Sequence, residues 1–280
     1  GDAADHRPDE QDELIGWVDG PYLGDSARLP ADPPAQDPVA WVDTRRGTYA
    51  SGDFSRGNTL PITAWPNGFA FFTPVTDART RRWLYEYHRA GDEQNRPRLQ
   101  GLAISHQPSP WMGDRNQFVL MPMTGEQSDA SPAARSRAFD HAEELARPDL
   151  YQVALEGGLG MRLAPTDHGA ISEFDFPTGT ERPQLLLEGI DEHCRIDAAG
   201  AVLDGRLRGW VDSALAEGHD RADGATRMFV LAEVDPAPQT VGRAEGASTG
   251  ASLLTFAPGT TSVTVRMVTS FIGIQQAQRT

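Results

Sequence analysis

From about Pro38 onward, short apolar runs alternate with turn signals. Leu150-Tyr151-Gln152-Val153-Ala154-Leu155 ends at Gly157-Gly158, and Phe174 and Phe176 flank Asp175 just before Pro177. Val263 and Val265 alternate with Thr264 and Arg266, as in a strand with one wet face. Arg227-Met228-Phe229-Val230-Leu231-Ala232-Glu233-Val234 is apolar on both faces, the pattern of a central strand. Period-two runs at this spacing predict an all-β chain, a large β-sandwich with few short helices. One segment departs: residues 133–147 read as helix on propensity alone. Residues 1–40 form an acidic, Pro-rich arm in which Leu14, Ile15, Trp17 and Val18 give some apolar grip, so partial docking is expected. Residues 41–280 are expected to be the sandwich itself.

Composition narrows the function classes. The 28 glycines and 21 prolines among 280 residues favour turns over long helices. A net charge of −15 repels nucleic acid and anionic membranes, so neither is expected as a partner. No apolar run approaches the ~18 residues that span a bilayer, and the opening GDAADHRPDEQDELIGW lacks the signal-peptide pattern. Cys194 is the only cysteine, which rules out an intrachain disulfide. All 25 basic residues are arginine, which rules out a lysine nucleophile or Schiff base.

The candidate chemistry centres on Ser105-His106-Gln107-Pro108-Ser109-Pro110-Trp111-Met112-Gly113-Asp114. Two prolines fix φ and restrict the residues before them, giving a rigid loop. Trp111 offers a flat apolar face to the C–H groups of a pyranose, while His106, Gln107 and Asp114 can bond its hydroxyls. The competing account is that Trp111 is a packed core residue. Gly57-Asn58-Thr59-Leu60-Pro61 can form a polar turn facing a ligand; a plain hairpin connection fits equally well. Asp191-Glu192-His193-Cys194 holds four metal-ligand types, but consecutive residues cannot all face one ion, and a solvated loop is expected. Asp43, Asp53 and Asp77 could hold calcium only if folded together. No acid pair stands out for glycoside hydrolysis, and no G-x-S-x-G elbow occurs.

These motifs resemble the N-terminal domain of the family 92 glycoside hydrolases, the calcium-dependent exo-acting α-mannosidases. The resemblance runs from about Trp41 to the last residue. Trp41-Val42-Asp43 with Gly47-Thr48 is similar to the family's opening V-D-P-F-I-G-T, with Thr44-Arg45-Arg46 departing from it. Gly57-Asn58-Thr59 with Pro61, then Ala64, Pro66 and Gly68, resembles G-N-T-x-P…A-x-P-F-G, with Asn67 in place of Phe. His106-Gln107-Pro108-Ser109-Pro110-Trp111 with Gly113-Asp114 is the strongest match. His141, Glu144, Ala146, Pro148 and Tyr151 resemble H-x-x-E-x-A-x-P-x-Y-Y, an extended segment in the family. That expectation replaces the helix over 133–147. Thr166-Asp167-His168 and the final Ser270-Phe271-Ile272 with Gln276-Ala277 fit as well.

The resemblance implies a galactose-mutarotase-like supersandwich that leads into a helical (α/α)6 barrel. It places the acid and base carboxylates and most calcium ligands in that barrel, so this chain is expected to be inactive alone. It implies a secreted, cell-surface or periplasmic bacterial enzyme acting on mannose-containing glycans, N-glycans among them, by an inverting hydrolysis. Asn58, Thr59, His106, Gln107, Trp111 and Asp114 are then expected to line the substrate cleft, with no metal ligand and no catalytic residue in this chain. Arg115 is added because a guanidinium fork suits a phosphate leaving group. Where the barrel docks, the isolated chain is expected to present an apolar face. The alternatives are a stand-alone carbohydrate-binding β-sandwich and a purely structural one. The ending Gln278-Arg279-Thr280 falls inside the bridging sequence, which favours the enzyme half.

Overall fold

The computed structural model describes residues 37–50, 53, 55–80, 82–89, 91–106, 110–111, 118–125, 129–189, 194–212, 227–248 and 250–279. The chain divides into two compact units, Gly1–Trp41 and Val42–Thr280. In the first, the described residues hold a short 3-10 helix, Pro38–Trp41; Leu14, Ile15, Trp17 and Val18 lie outside them.

The second unit is built from antiparallel strands in two large sheets. The nine-stranded sheet runs, in spatial order, β13 (Cys194–Asp197), β14 (Arg206–Asp212), β15 (Arg227–Asp235), β18 (Ser262–Ser270), β11 (Gly169–Asp175), β10 (Leu159–Pro165), β9 (Tyr151–Leu155), β8 (Arg137–Ala146) and β5 (Arg98–Leu99). The seven-stranded sheet runs β16 (Thr240–Gly242), β17 (Ser252–Thr255), β12 (Gln184–Gly189), β7 (Phe118–Met123), β6 (Gly101–Ser105), β4 (Phe71–Val75) and β3 (Thr63–Ala64). A two-stranded hairpin, β1 (Tyr49–Ala50) and β2 (Ser55–Arg56), completes the set. The described helices of this unit are single turns: Pro132–Arg135, Ala201–Asp204 and Ile274–Ala277. The expected β-sandwich with few short helices is therefore observed.

Alternation sets the register of the nine-stranded sheet. In β9, Tyr151, Val153 and Leu155 are buried while Gln152 and Ala154 are exposed. In β18, Val263, Val265 and Met267 point inward between wetter neighbours. A one-residue slip would turn these sets to solvent, so burial fixes the pairing. The main core joins them to Phe72, Leu102, Ile104, Phe118, Leu120 and Leu185 of the seven-stranded sheet.

Two local expectations resolve differently. Residues 137–146 are strand, because β8 pairs with β9 through Glu144 opposite Val153 and Ala146 opposite Tyr151; only Pro132–Arg135 keeps helical form, capped by Ser131. Tertiary pairing overrides propensity here, as the family resemblance implied. β15 is central, between β14 and β18, yet only one of its faces is buried. Met228, Val230, Ala232 and Val234 point inward, while Phe229 and Leu231 are half-buried on the outer face. The helix Ile274–Ala277, which packs on β15 and β18, covers that outer face only in part.

β4, β6, β7 and β12 are buried on both faces. Leu60, Ala78 and Leu84, from the connecting segments, lie on Phe71, Val75, Ala103 and Val119 and form a second, smaller core.

Candidate functional site

The site starts from two glycines that cross. Gly47 and Gly57 both have left-handed φ, +84° and +97°. A Cβ on Gly57 would run into the Gly47 backbone, so the close approach needs glycine as much as the torsions do. The crossing brings turn 43–48 against residues 57–59. The Thr59 N–H donates to the Gly47 carbonyl at 3.2 Å, and its hydroxyl donates to the Arg46 carbonyl at 3.0 Å. Leu60, one residue on, is buried in the second core and fixes the other side of this strap.

Asn58 is thereby held at the surface, where its Oδ1 accepts from Trp111 Nε1 at 2.7 Å. Trp111 is not core: 46% of it is exposed. A second indole, Trp83, meets it edge to face at a centroid distance of 4.6 Å. Trp83 has φ +45°, costly for a bulky residue and maintained only where the surroundings enforce it. Leu84, fully buried beneath the strap, supplies that enforcement. The Trp83 indole N–H is buried and has no hydrogen-bond partner among the described residues. Orphaned buried donors are rare and call for an explanation.

His106, directly after β6, belongs to a different aromatic group. Its ring lies 5.4 Å from Phe69 and 5.2 Å from Phe271. Phe69 stacks on His168 at 4.8 Å and meets Phe271 at 5.2 Å. The Phe69 N–H donates to the Asp167 carbonyl at 2.8 Å, and the Asp167 carboxylate stands 3.5 Å from His168 Nε2. Trp65 and Ile272, 56% and 81% exposed, extend this end of the sandwich as an apolar surface.

Of the residues singled out in the sequence, the structure thus joins Asn58 to Trp111 with Thr59 as their anchor, and sets His106 among Phe69, His168 and Phe271. Gln107, Asp114 and Arg115 lie outside the described residues, as do Asp191, Glu192 and His193. Trp83 was missed. Nothing in Arg82-Trp83-Leu84 signals a turn, and a left-handed tryptophan has no sequence signature. His168 and Phe271 stood inside motifs of the resemblance without being picked.

Nearby carboxylates are occupied. Asp43 accepts from Arg45 Nε and Nη2, both at 2.9 Å. Burial pushes its carboxyl up, but the hydrogen bonds and charge of Arg45 outweigh this and hold it below the usual range. Asp77 pairs with Arg89 at 2.8 Å. Among the described residues, no three His, Cys, Asp or Glu side chains gather as a metal site. Two depressions lie elsewhere, of about 400 Å³ around Arg206, Arg208 and Arg266 and about 520 Å³ around Arg98, Arg137 and Glu156. Neither is lined by an aromatic ring that could stack on a sugar. Chemically, the Asn58–Trp111–Trp83 group combines a partly exposed ring, an amide beside it and an indole N–H with no acceptor among the described residues, groups of the kind that could recognise a ligand.

Comparison with known proteins bears on the family and the fold. The sequence profile of the glycosyl hydrolase family 92 N-terminal domain matches residues 41–271. A family GH92 inverting mannosidase from Bacteroides thetaiotaomicron is similar in structure, with a TM-score of 0.73 and 26% identity over 89% of this chain and 33% of that one. A family GH92 α-mannosidase of the same organism, solved with mannoimidazole, gives a TM-score of 0.63 at 17% identity over 86% of this chain and 33% of that one, a likeness of fold. The chain spans about a third of the length of these two structures. No curated protein matches.

Proposed function

We infer, for a chain that belongs to glycosyl hydrolase family 92 through its N-terminal domain, that it forms the N-terminal substrate-cleft domain of a calcium-dependent, inverting exo-α-mannosidase. The reading is carried by the Trp83–Trp111 pair. A partly exposed indole held in place by Asn58 stands beside a buried indole N–H that has no acceptor among the described residues. A mannose ring laid on Trp111 would bury its C–H face there, with the Asn58 side chain beside it. His106, Gln107, Asp114 and Arg115 extend the cleft, with Arg115 suited to a mannosyl-phosphate leaving group.

Proton transfer belongs to the helical catalytic domain, the partner this reading requires. The apolar end around Trp65, Phe69 and Ile272 is the surface offered to it. Calcium, which this family implies, does not fit the described residues: no ligand set gathers, and Asp43 and Asp77 are turned to arginines. It is therefore assigned to the helical domain, and no step of this chain runs through it. Secretion or display at the cell surface or in the periplasm follows from a glycan substrate.

The test is hydrolysis of an aryl α-mannoside with calcium present. The 280-residue chain alone should be silent, and joining it to a family 92 helical domain should give turnover. Turnover by the chain alone would place the acid and base here. Mannose binding without turnover in the joined protein would favour a stand-alone carbohydrate-binding module.

A further inference from the structure

The most buried ionic group near the cleft is Glu144, on β8, whose side chain is fully enclosed. Two tyrosines donate to it. Tyr85 OH donates to Oε2 at 2.9 Å, Tyr151 OH donates to Oε1 at 3.0 Å, and His141 Nδ1 stands 2.7 Å from Oε2. Arg45 Nη1 approaches to 3.5 Å. His141 is itself fixed: its Nε2 lies 2.8 Å from the Tyr87 carbonyl, and its ring stacks on Tyr87 at 3.9 Å. Burial drives the Tyr85 and Tyr151 phenols up, and the Glu144 charge drives them further, so both stay donors.

Enclosing a carboxylate is costly, and apolar side chains of the same volume fill such a space at least as well. What an apolar filling lacks is a fixed anchor for a cation. Arg45 uses that anchor. It donates to the His141 carbonyl at 2.8 Å while its other nitrogens grip Asp43 in a fork. Its own carbonyl accepts from the Thr48 hydroxyl at 2.7 Å, closing turn 43–48. The next two carbonyls of that turn, Arg46 and Gly47, hold Thr59. Thr59 adjoins Asn58, which holds Trp111. Every link from the enclosed carboxylate to the exposed indole is a hydrogen bond, an ion pair or one step of backbone.

We propose that Glu144 is a positioning residue for the sugar platform, acting through Arg45 and turn 43–48 on the Asn58–Trp111 pair. The proposal rests on the reading of Trp111 as a cleft residue. Its readout, however, is the indole N–H of Trp111, followed by ¹H–¹⁵N NMR in the 280-residue chain without sugar. A failed mannoside assay would remove the cleft reading and leave this result standing.

Glu144→Gln keeps the shape and removes the charge. Arg45→Lys keeps a cation beside Glu144 and loses the fork that spans Asp43 and the His141 carbonyl. Each should shift the Trp111 resonance and speed its hydrogen exchange about tenfold, the ordinary worth of one hydrogen bond in a local opening. Trp210, on β14 beneath Arg227, should keep its rate. General loosening would instead speed both indoles alike, and that result overturns the proposal. So does an unmoved Trp111 in either folded variant. If Glu144→Gln fails to fold, Glu144→Asp, which keeps the charge and shortens its reach toward Arg45, decides in its place by the same two readouts.

Discussion

The two sheets are buried in different ways, and the site belongs to the difference. The nine-stranded sheet keeps one wet face, where Arg162 pairs with Glu173 and Asp175 at 3.1 and 3.0 Å. The middle of the seven-stranded sheet has no wet face, because Leu60 and Leu84 cover it. Those two leucines are the chain neighbours of Thr59 and Trp83. Segments that elsewhere would be surface loops are pinned by burying one apolar side chain each, and the residue next to it is presented rigidly outward. The candidate surface thus gains the precision of a core without belonging to one.

That contrast can be broken at its base. Leu84→Ala should cost about 3 kcal/mol in denaturant unfolding, since the side chain is fully enclosed. It should also release Trp83 from Trp111, seen as loss of their shared fluorescence signature. An equal loss of stability with the indole pair unchanged would separate the second core from the platform.

Alkali should weaken the same region next. Tyr85 and Tyr151 are held well above the ordinary phenol value of 10.0 by burial and then by the Glu144 charge. Above pH 10 the unfolded chain ionises these groups and the fold does not. Their stabilisation is complete below pH 10 and is lost as pH rises toward the folded values. The slope should approach about 1.4 kcal/mol per pH unit for each phenol, and Tyr85→Phe should remove one such share.

The smallest effect on stability separates the two surfaces by function. Trp111→Ala and Arg162→Ala should each shift unfolding by no more than about 1 kcal/mol. In the joined enzyme, Trp111→Ala should lower kcat/KM on mannosides about tenfold, while Arg162→Ala leaves it unchanged. Equal kinetics in the two variants would remove Trp111 from the cleft.

How much could be read in advance follows the same division. Strands with one wet face announce themselves: Val263 and Val265 between polar neighbours gave β18, and Leu150–Leu155 gave β9. β8 misled because Ala-, Glu- and Arg-rich sequence favours helix, and its pairing with Tyr151–Leu155 is a tertiary fact. Family motifs corrected it. In the site, Asn58 and Trp111 were legible as an amide and a ring beside turn residues. Their direct bond was not, because it joins positions brought together only by the crossing at Gly47 and Gly57. Trp83 was hidden by its backbone torsion; Glu144 stood in a motif of the resemblance, but its enclosure by Tyr85, Tyr151 and His141 is a tertiary fact.

The strap that carries Asn58 is stitched to chain far downstream. Arg45 reaches the His141 carbonyl across 96 positions and Thr63 the Arg147 carbonyl across 84, while the Thr44 N–H bonds Ala146. During synthesis on the ribosome the strap therefore emerges long before anything can receive it. At the usual pace of elongation, roughly 10 seconds pass before residues 141–148 arrive. Trp83 waits on unfinished chain through much of that time and Trp111 joins it for the last few seconds, which makes this interval the one in which a chaperone would find its grip.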